Sequence, residues 1–148
     1  MIKFELLNSV LIQEVLDIEK LCFPGDEWTE GMFESEISNS ISVFPVGIDE
    51  ESGRVVCYCC VWLISDFAEI TNIAVSPAYQ RQGIGQMMLG LIEKICRESN
   101  VECINLEVKN GNVPAEQLYL KLGYKEVGRR NNYYKDGSDA ILMTKLLN

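Results

Sequence analysis

The spacing of apolar residues changes several times along the chain, and each change marks an element. After Ser9, a candidate N-cap, Leu11, Ile12, Val15, Leu16, Ile18 and Leu21 recur at helical spacing and predict a first helix. Thr29 is placed to cap a second, short helix, introduced by Trp28 and carrying Met32, Phe33 and Ile37 on one face. An acidic loop, Gly25-Asp26-Glu27, separates the two. Ser42 to Asp49 and Arg54 to Ile64 are β-rich and flank Glu50-Glu51-Ser52-Gly53, the pattern of an antiparallel hairpin, and a strand Glu69 to Val75 follows. Pro77 stops regular structure. Gln80 to Gly85 then opens a helix that runs to Ser99 through Met87, Met88, Leu91, Ile92 and Ile95. Between Val101 and Val108, Ile104, Leu106 and Val108 alternate with Cys103, Asn105 and Glu107, which sets Glu107 opposite an apolar face. Asn112 can cap the next helix, with Pro114 in its first turn and Gly123 just past its end. Strands near Tyr124 to Arg129 and Asp139 to Leu146, connected through Asp136-Gly137, complete the pattern.

The chain has 148 residues, the size of one domain with a real core, so residues 1–148 are read as a single domain. With 47% hydrophobic and 24% charged residues, the composition excludes intrinsic disorder. No apolar run approaches the roughly 20 residues of a membrane-spanning helix. The Met1-Ile2-Lys3-Phe4-Glu5 start lacks a signal-peptide pattern, and a cytoplasmic protein is expected. Cys22, Cys57, Cys59, Cys60, Cys96 and Cys103 sit in apolar segments, as free thiols do in a reducing compartment. Cys57, Cys59 and Cys60 have no C-x-x-C spacing and histidine is absent, so no metal is expected. The missing histidine also removes every Ser-His and Cys-His dyad. Any general base is therefore a carboxylate, a lysine, a tyrosine or a cysteine.

A net charge of −9 argues against nucleic acid as a direct partner. Residues 1–66 hold 3 basic and 13 acidic side chains, whereas residues 67–148 hold 10 and 9. This asymmetry suits a cationic partner at the first half and tolerance of an anion at the second; solvated surface charge is the plain alternative.

Gln80 to Gln86 carries the most specific chemical signal. Two glycines between a strand and a helix let consecutive N–H groups turn toward one point at the positive end of the helix dipole, a nest for phosphate oxygens. No Lys-Ser or Lys-Thr follows the second glycine, so this is not a Walker A loop, and the third glycine of the dinucleotide fingerprint is missing.

The run Ile73-Ala74-Val75, Pro77, Tyr79-Gln80-Arg81-Gln82-Gly83-Ile84-Gly85 resembles motif A of the GNAT N-acetyltransferases, Q/R-x-x-G-x-G/A. A second block, Leu106-Glu107-Val108-Lys109-Asn110-Gly111-Asn112, then Ala115, Leu118-Tyr119 and Leu122-Gly123-Tyr124, is similar to the E-V-R-x-S-N run of the RimI-like ribosomal-protein-alanine N-acetyltransferases. Gly128 to Tyr134 with Asp139 to Met143 resembles that branch's C-terminal pattern, as Cys22-Phe23-Pro24 and Trp28-Thr29 resemble its first loop. Lys109 stands where that pattern has arginine, Gly111 where it has serine, and Glu27 where proline commonly precedes the tryptophan.

The resemblance implies an α/β (α+β) GNAT acyl-CoA N-acyltransferase fold: a mixed, mostly antiparallel central sheet with helices on both faces. It implies acetyl-CoA as co-substrate, its pyrophosphate on the N–H groups of Arg81, Gln82, Gly83, Ile84, Gly85 and Gln86. The pantetheine arm would lie along Ile73, Ala74 and Val75, with the Asn112 side chain as a further contact. It also assigns Glu107 as general base and Tyr119, twelve residues later, as general acid. Tyr134 would line the acceptor entrance. A peptide α-amine of pKa ~8 loses its proton readily, so a carboxylate acting through water suffices. A surface salt bridge for Glu107, plain packing for Tyr119 and Tyr134, and Glu69 as rival carboxylate stay open. No cysteine has a basic neighbour in sequence, which disfavours an acetyl-cysteine route. The expected activity is direct acetyl transfer, in a ternary complex, to the N-terminal α-amine of a basic protein such as an alanine-starting ribosomal protein. A small amine or lysine side chain as acceptor, or a non-catalytic CoA-binding module, are the alternatives.

Overall fold

The strands of this chain form one sheet because most of them are apolar on the faces that helices cover. In the computed structural model, which describes residues 1–147, the strands are β1 (Ile2–Leu6), β2 (Ser42–Val43), β3 (Pro45–Asp49), β4 (Val55–Ile64), β5 (Phe67–Val75), β6 (Cys103–Lys109), β7 (Lys125–Arg130) and β8 (Ala140–Leu146). They run in the order β1-β3-β4-β5-β6-β8-β7, with β2 also on β4. Every described pairing is antiparallel except β5 with β6. The helices are α1 (Ile12–Cys22), α2 (Glu30–Ile37), α3 (Ile84–Glu98) and α4 (Val113–Lys121). The expected mixed sheet with helices on both faces is what forms: α1 and α2 cover one face, α3 and α4 the other.

β4, Val-Val-Cys-Tyr-Cys-Cys-Val-Trp-Leu-Ile, is apolar throughout because it is central and covered on both faces. β6 alternates as its sequence predicts, with Ile104, Leu106 and Val108 buried toward α3. Thr29 does cap α2, accepting a hydrogen bond from Met32 N–H. Asn112 caps α4, accepting from Ala115 N–H. Gly123, at φ +98°, closes that helix with Tyr124 N–H donating to the Tyr119 carbonyl.

Some local expectations are corrected. Ser9 is not the first cap: Asn8 accepts from Val10 N–H and starts a 3₁₀ turn, Ser9–Leu11, that leads into α1. Leu21 points outward at 66% exposure, and the buried stripe of α1 continues through Glu19 instead. Met32 and Ile37 are likewise exposed, and α2 buries Phe33 and Glu36. β5 begins at Phe67 rather than Glu69. β1 was not predicted at all.

The feature that makes a site is a break in the sheet. β5 pairs β6 only from Phe67↔Cys103 to Ile70↔Leu106, while β4 accompanies β5 to Val75 and β8 accompanies β6 to Lys109. At the point of divergence Cys60 pairs with Asn72 and Val61 with Ile70, so Thr71 is the extra residue of a β-bulge. Its hydroxyl donates to the Cys60 carbonyl at 3.3 Å. A bulge bends its strand and raises its twist, which carries Thr71 to Val75 away from β6 and opens a gap through the sheet.

Candidate active site

Two carboxylates meet on the α1/α2 side of this gap. Glu69 pairs with Asn105, two residues before Glu107, so Glu69 and Glu107 project from the same face of neighbouring strands. Both line a cleft of about 660 Å³ walled by Asp26, Trp28, Trp62, Ile70, Thr71, Tyr133, Tyr134 and Lys135. Burial and, second to it, the charge of Glu107 push the Glu69 carboxyl above its usual range, with Arg130 acting against them. Glu107 accepts a hydrogen bond from Arg130 Nε at 2.9 Å, and the Arg130 guanidinium lies 5.8 Å from the centre of the Tyr133 ring. Tyr134 is half-buried, and its phenol is pushed up to about 12 by burial first and then by Glu107, Tyr133 and Asp26.

Two buried glutamates hold the aromatic walls. Glu19 Oε2 accepts from the Trp28 N–H at 2.9 Å, while Glu19 Oε1 accepts from Asn72 Nδ2 at 2.8 Å and from the Tyr58 hydroxyl. Glu36 accepts from Trp62 Nε1 at 2.9 Å and from Asn39 Nδ2 at 3.0 Å. A buried carboxylate is tolerable only when its oxygens are saturated in this way. α1, α2, β4 and β5 are thereby tied to the loop that carries Trp28.

Across the sheet, Tyr119 of α4 packs edge-to-face with Tyr124 in the core shared with α3. Burial raises its phenol pKa, with Cys59 and Tyr134 contributing, so the group stays protonated. Among the described residues no buried side-chain oxygen lacks a hydrogen-bond partner, and no protein partner of the Tyr119 hydroxyl is found. Base and acid candidates thus lie on opposite faces of the sheet.

Beyond the end of β5 lies the loop 80–83. Arg81 (φ +64°) and Gly83 (φ +79°) both adopt the left-handed region and turn their neighbours' N–H groups outward. From Arg81 through Gln86, no backbone N–H donates to a protein acceptor among the described residues. These free donors at the start of a 15-residue helix fit an anionic phosphate group. Gly85 serves differently: an added Cβ would sit 3.3 Å from Leu118 Cδ2, so glycine lets α3 approach α4 and β5. Arg81 is exposed, with no carboxylate partner among the described residues. Ile73, Ala74 and Val75 run along the gap, paired on one side only to β4. The Val75 carbonyl accepts from Cys22 Sγ at 3.4 Å and Gln80 Nε2 at 3.0 Å.

The structure thus brings Glu107, Glu69 and Tyr134 together and leaves Asn112 engaged as a helix cap. Sequence reasoning missed the walls Trp62 and Thr71, the posts Glu19 and Glu36, and Arg130 on Glu107. All six cysteines are free thiols, and Cys57 and Cys60 are pushed up to about 12 by burial, so neither is a ready nucleophile.

Residues 12–124 match the acetyltransferase (GNAT) family. This chain belongs to the GNAT acetyltransferases. A Bacillus subtilis (strain 168) protein provisionally named a ribosomal protein bS18-alanine N-acetyltransferase is 36% identical over 93% of this chain and 90% of its own. The Escherichia coli (strain K12) ribosomal protein bS18-alanine N-acetyltransferase is 34% identical over 78% of each chain. The crystal structure of the E. coli ribosomal-protein-S18-alanine N-acetyltransferase superposes with a TM-score of 0.90 at 29% identity, covering 100% of this GNAT chain and 95% of the other.

Proposed function

We propose that this GNAT acetyltransferase moves the acetyl group of acetyl-CoA to the N-terminal α-amine of a basic, alanine-starting ribosomal protein in the cytoplasm. The observation that carries the reading is the gap between β5 and β6, with free N–H donors at its helix end and two carboxylates in an aromatic cleft on its other side. The similarity to enzymes named for ribosomal protein bS18 supports the choice of acceptor.

The N–H groups of Arg81 to Gln86 hold the pyrophosphate, helped by the Arg81 charge, and Ile73 to Val75 and Asn112 guide the rest of the molecule. Bound acetyl-CoA supplies an acetyl group activated as a thioester. On the chain's side the work is proton transfer and orientation. Glu107 takes a proton from the acceptor ammonium, directly or through water, because only the neutral amine has a lone pair to attack. Glu69, whose carboxyl is raised by burial and then by the Glu107 charge, favours a cation between the two. Tyr119, held protonated, delivers a proton to the departing sulfur from the opposite face. Tyr134 and the two tryptophans give the cleft an aromatic lining for the acceptor's first residue. Transfer is direct, in a ternary complex.

The test presents an alanine-starting basic peptide, its N-terminally blocked lysine-containing twin, and spermidine as separate acceptors, read by mass spectrometry. Acetylation of the unblocked peptide alone is expected. Modification of only the twin or spermidine overturns the acceptor; binding of acetyl-CoA without any turnover overturns the enzyme.

A further inference from the structure

The loop before α2 and the connection between β7 and β8 form opposite walls of the acceptor cleft, contributing Asp26 and Trp28 on one side and Tyr133, Tyr134 and Lys135 on the other. Each is internally braced. Asp26 N–H donates to the Phe23 carbonyl at 3.0 Å and Trp28 N–H to Glu19, while Gly137 N–H donates to the Tyr134 carbonyl at 2.9 Å and Ser138 N–H to Asp136 Oδ1 at 2.9 Å. Among the described residues no hydrogen bond or ion pair joins the two walls directly. Lys109 bridges them. From the end of β6, Lys109 Nζ lies 3.4 Å from Asp26 Oδ2 and 2.9 Å from Asp136 Oδ2, and 5.2 Å from the centre of the Tyr134 ring.

From this geometry we propose that Lys109 is a specificity-determining residue that sets the width and charge of the acceptor cleft; the inference rests on the reading of that cleft as the peptide site. A lysine ammonium can satisfy two carboxylates at once as a compact point charge with several donors. Its removal leaves Asp26 and Asp136 facing each other without a counter-ion. Like charges repel, so the walls part, and the mouth of the cleft gains a unit of negative charge. A wider mouth grips an extended peptide less well, while the added negative charge draws in a small polycation that does not depend on that grip. Lys109 lies two residues beyond Glu107 and touches none of the reacting groups, so it acts on recognition and not on the proton-transfer step.

The experiment compares Lys109→Gln, Lys109→Arg and the unaltered chain, with Asp136→Asn as a milder variant that loosens the same bridge from its exposed end. For Lys109→Gln the KM of the alanine-starting peptide rises about three- to tenfold, the scale of two partly exposed ion pairs. kcat at saturating peptide stays within about twofold, because base and acid are untouched. KM for acetyl-CoA is unchanged, the ratio of peptide to spermidine kcat/KM falls, and Lys109→Arg restores both peptide KM and that ratio. Asp136→Asn raises the peptide KM in the same direction by less, and because it removes negative charge instead of adding it, it leaves spermidine no better an acceptor. Amide hydrogen exchange without substrate supplies a readout independent of the acceptor: residues 23–29 and 131–139 exchange faster together in Lys109→Gln. If the unaltered chain acetylates no peptide while exchange behaves as stated, the acceptor reading fails and the bridge stands as a structural tie only, which overturns its role in specificity. Unchanged exchange, an unchanged peptide KM, or an equal collapse of kcat and both KM values overturns the proposal as well.

Discussion

Replacing Glu107 by Gln keeps the shape of the side chain and removes its charge. The partner it abandons, Arg130, has a side chain 56% exposed, so water takes over and the fold is little affected. A positioned general base is worth about 10² to 10⁴ in rate. The structure places the loss at the lower end of that range, because Glu69 shares the cleft. Its carboxyl is raised by burial and then by the Glu107 charge; with that charge gone, Glu69 ionises more completely and takes over part of the task. The expected fall in kcat is about 10²-fold at neutral pH, equivalent to ~2.7 kcal/mol of barrier, with KM for acetyl-CoA within about twofold of its starting value. The deficit also depends on pH. An α-amine of pKa ~8 deprotonates in solvent as pH rises through that value, so the variant approaches the unaltered enzyme above about pH 9. The assay is steady-state release of free coenzyme A thiol with a saturating alanine-starting peptide across that pH range. An unchanged kcat at neutral pH, or the same deficit at every pH, refutes the assignment.

Three further outcomes follow from the same geometry. Tyr119→Phe lowers kcat about 10- to 100-fold with peptide KM unchanged, and shifts the thermal midpoint little, since no protein partner of its hydroxyl is found among the described residues; a normal kcat removes Tyr119 as the acid. Gly83→Ala forces a Cβ into φ +79° although nothing lies within 4 Å of it, so the strain of about 1–2 kcal/mol is conformational and appears in titrations as weaker acetyl-CoA binding with peptide KM retained. Glu19→Ala leaves the Tyr58 hydroxyl, Asn72 amide and Trp28 N–H without their acceptor, at about 1–3 kcal/mol for each group that stays buried, and urea unfolding reads a loss of at least ~3 kcal/mol; a loss below 1 kcal/mol means water replaces the carboxylate.

The parts of this molecule that were legible in its sequence are those governed by local rules. The alternation around Leu106 and Val108 set Glu107 on the correct face. Gly83 and Gly85, after Pro77, marked a strand-to-helix turn; Gly83 takes a left-handed φ of +79°, while Gly85 instead makes room for Leu118. Thr29, Asn112 and Gly123 sit where cap chemistry requires. β1 was equally readable, since Ile2, Phe4 and Leu6 alternate with Lys3 and Glu5. The bulge at Thr71 was not readable. Nothing in Ile70-Thr71-Asn72 says that two residues will oppose one, because a bulge is a property of the pair of strands.

Charge counting misplaced the chemistry in an instructive way. Of the acidic residues that weight the first half, Glu19 and Glu36 are interior and hold tryptophans, whereas Glu69 and Glu107 of the cleft belong to the balanced half. The warning was present in the pattern, since Glu19 follows Val15 and Leu16 at helical spacing and Glu36 lies three residues after Phe33. A carboxylate within a buried stripe needs donors from elsewhere in the fold, and their identity, like that of Arg130 on Glu107, depends on contacts far apart in the chain.

The central claim, that this cleft delivers an α-amine to the gap between β5 and β6, is tested most directly by letting two amines compete within one molecule. A peptide that begins with alanine and carries an internal lysine, both unblocked, is incubated with the enzyme and acetyl-CoA, and tandem mass spectrometry locates the acetyl group. The account predicts acetyl on residue 1 and none on the lysine. Acetyl on the lysine, or spread evenly over both amines, contradicts it.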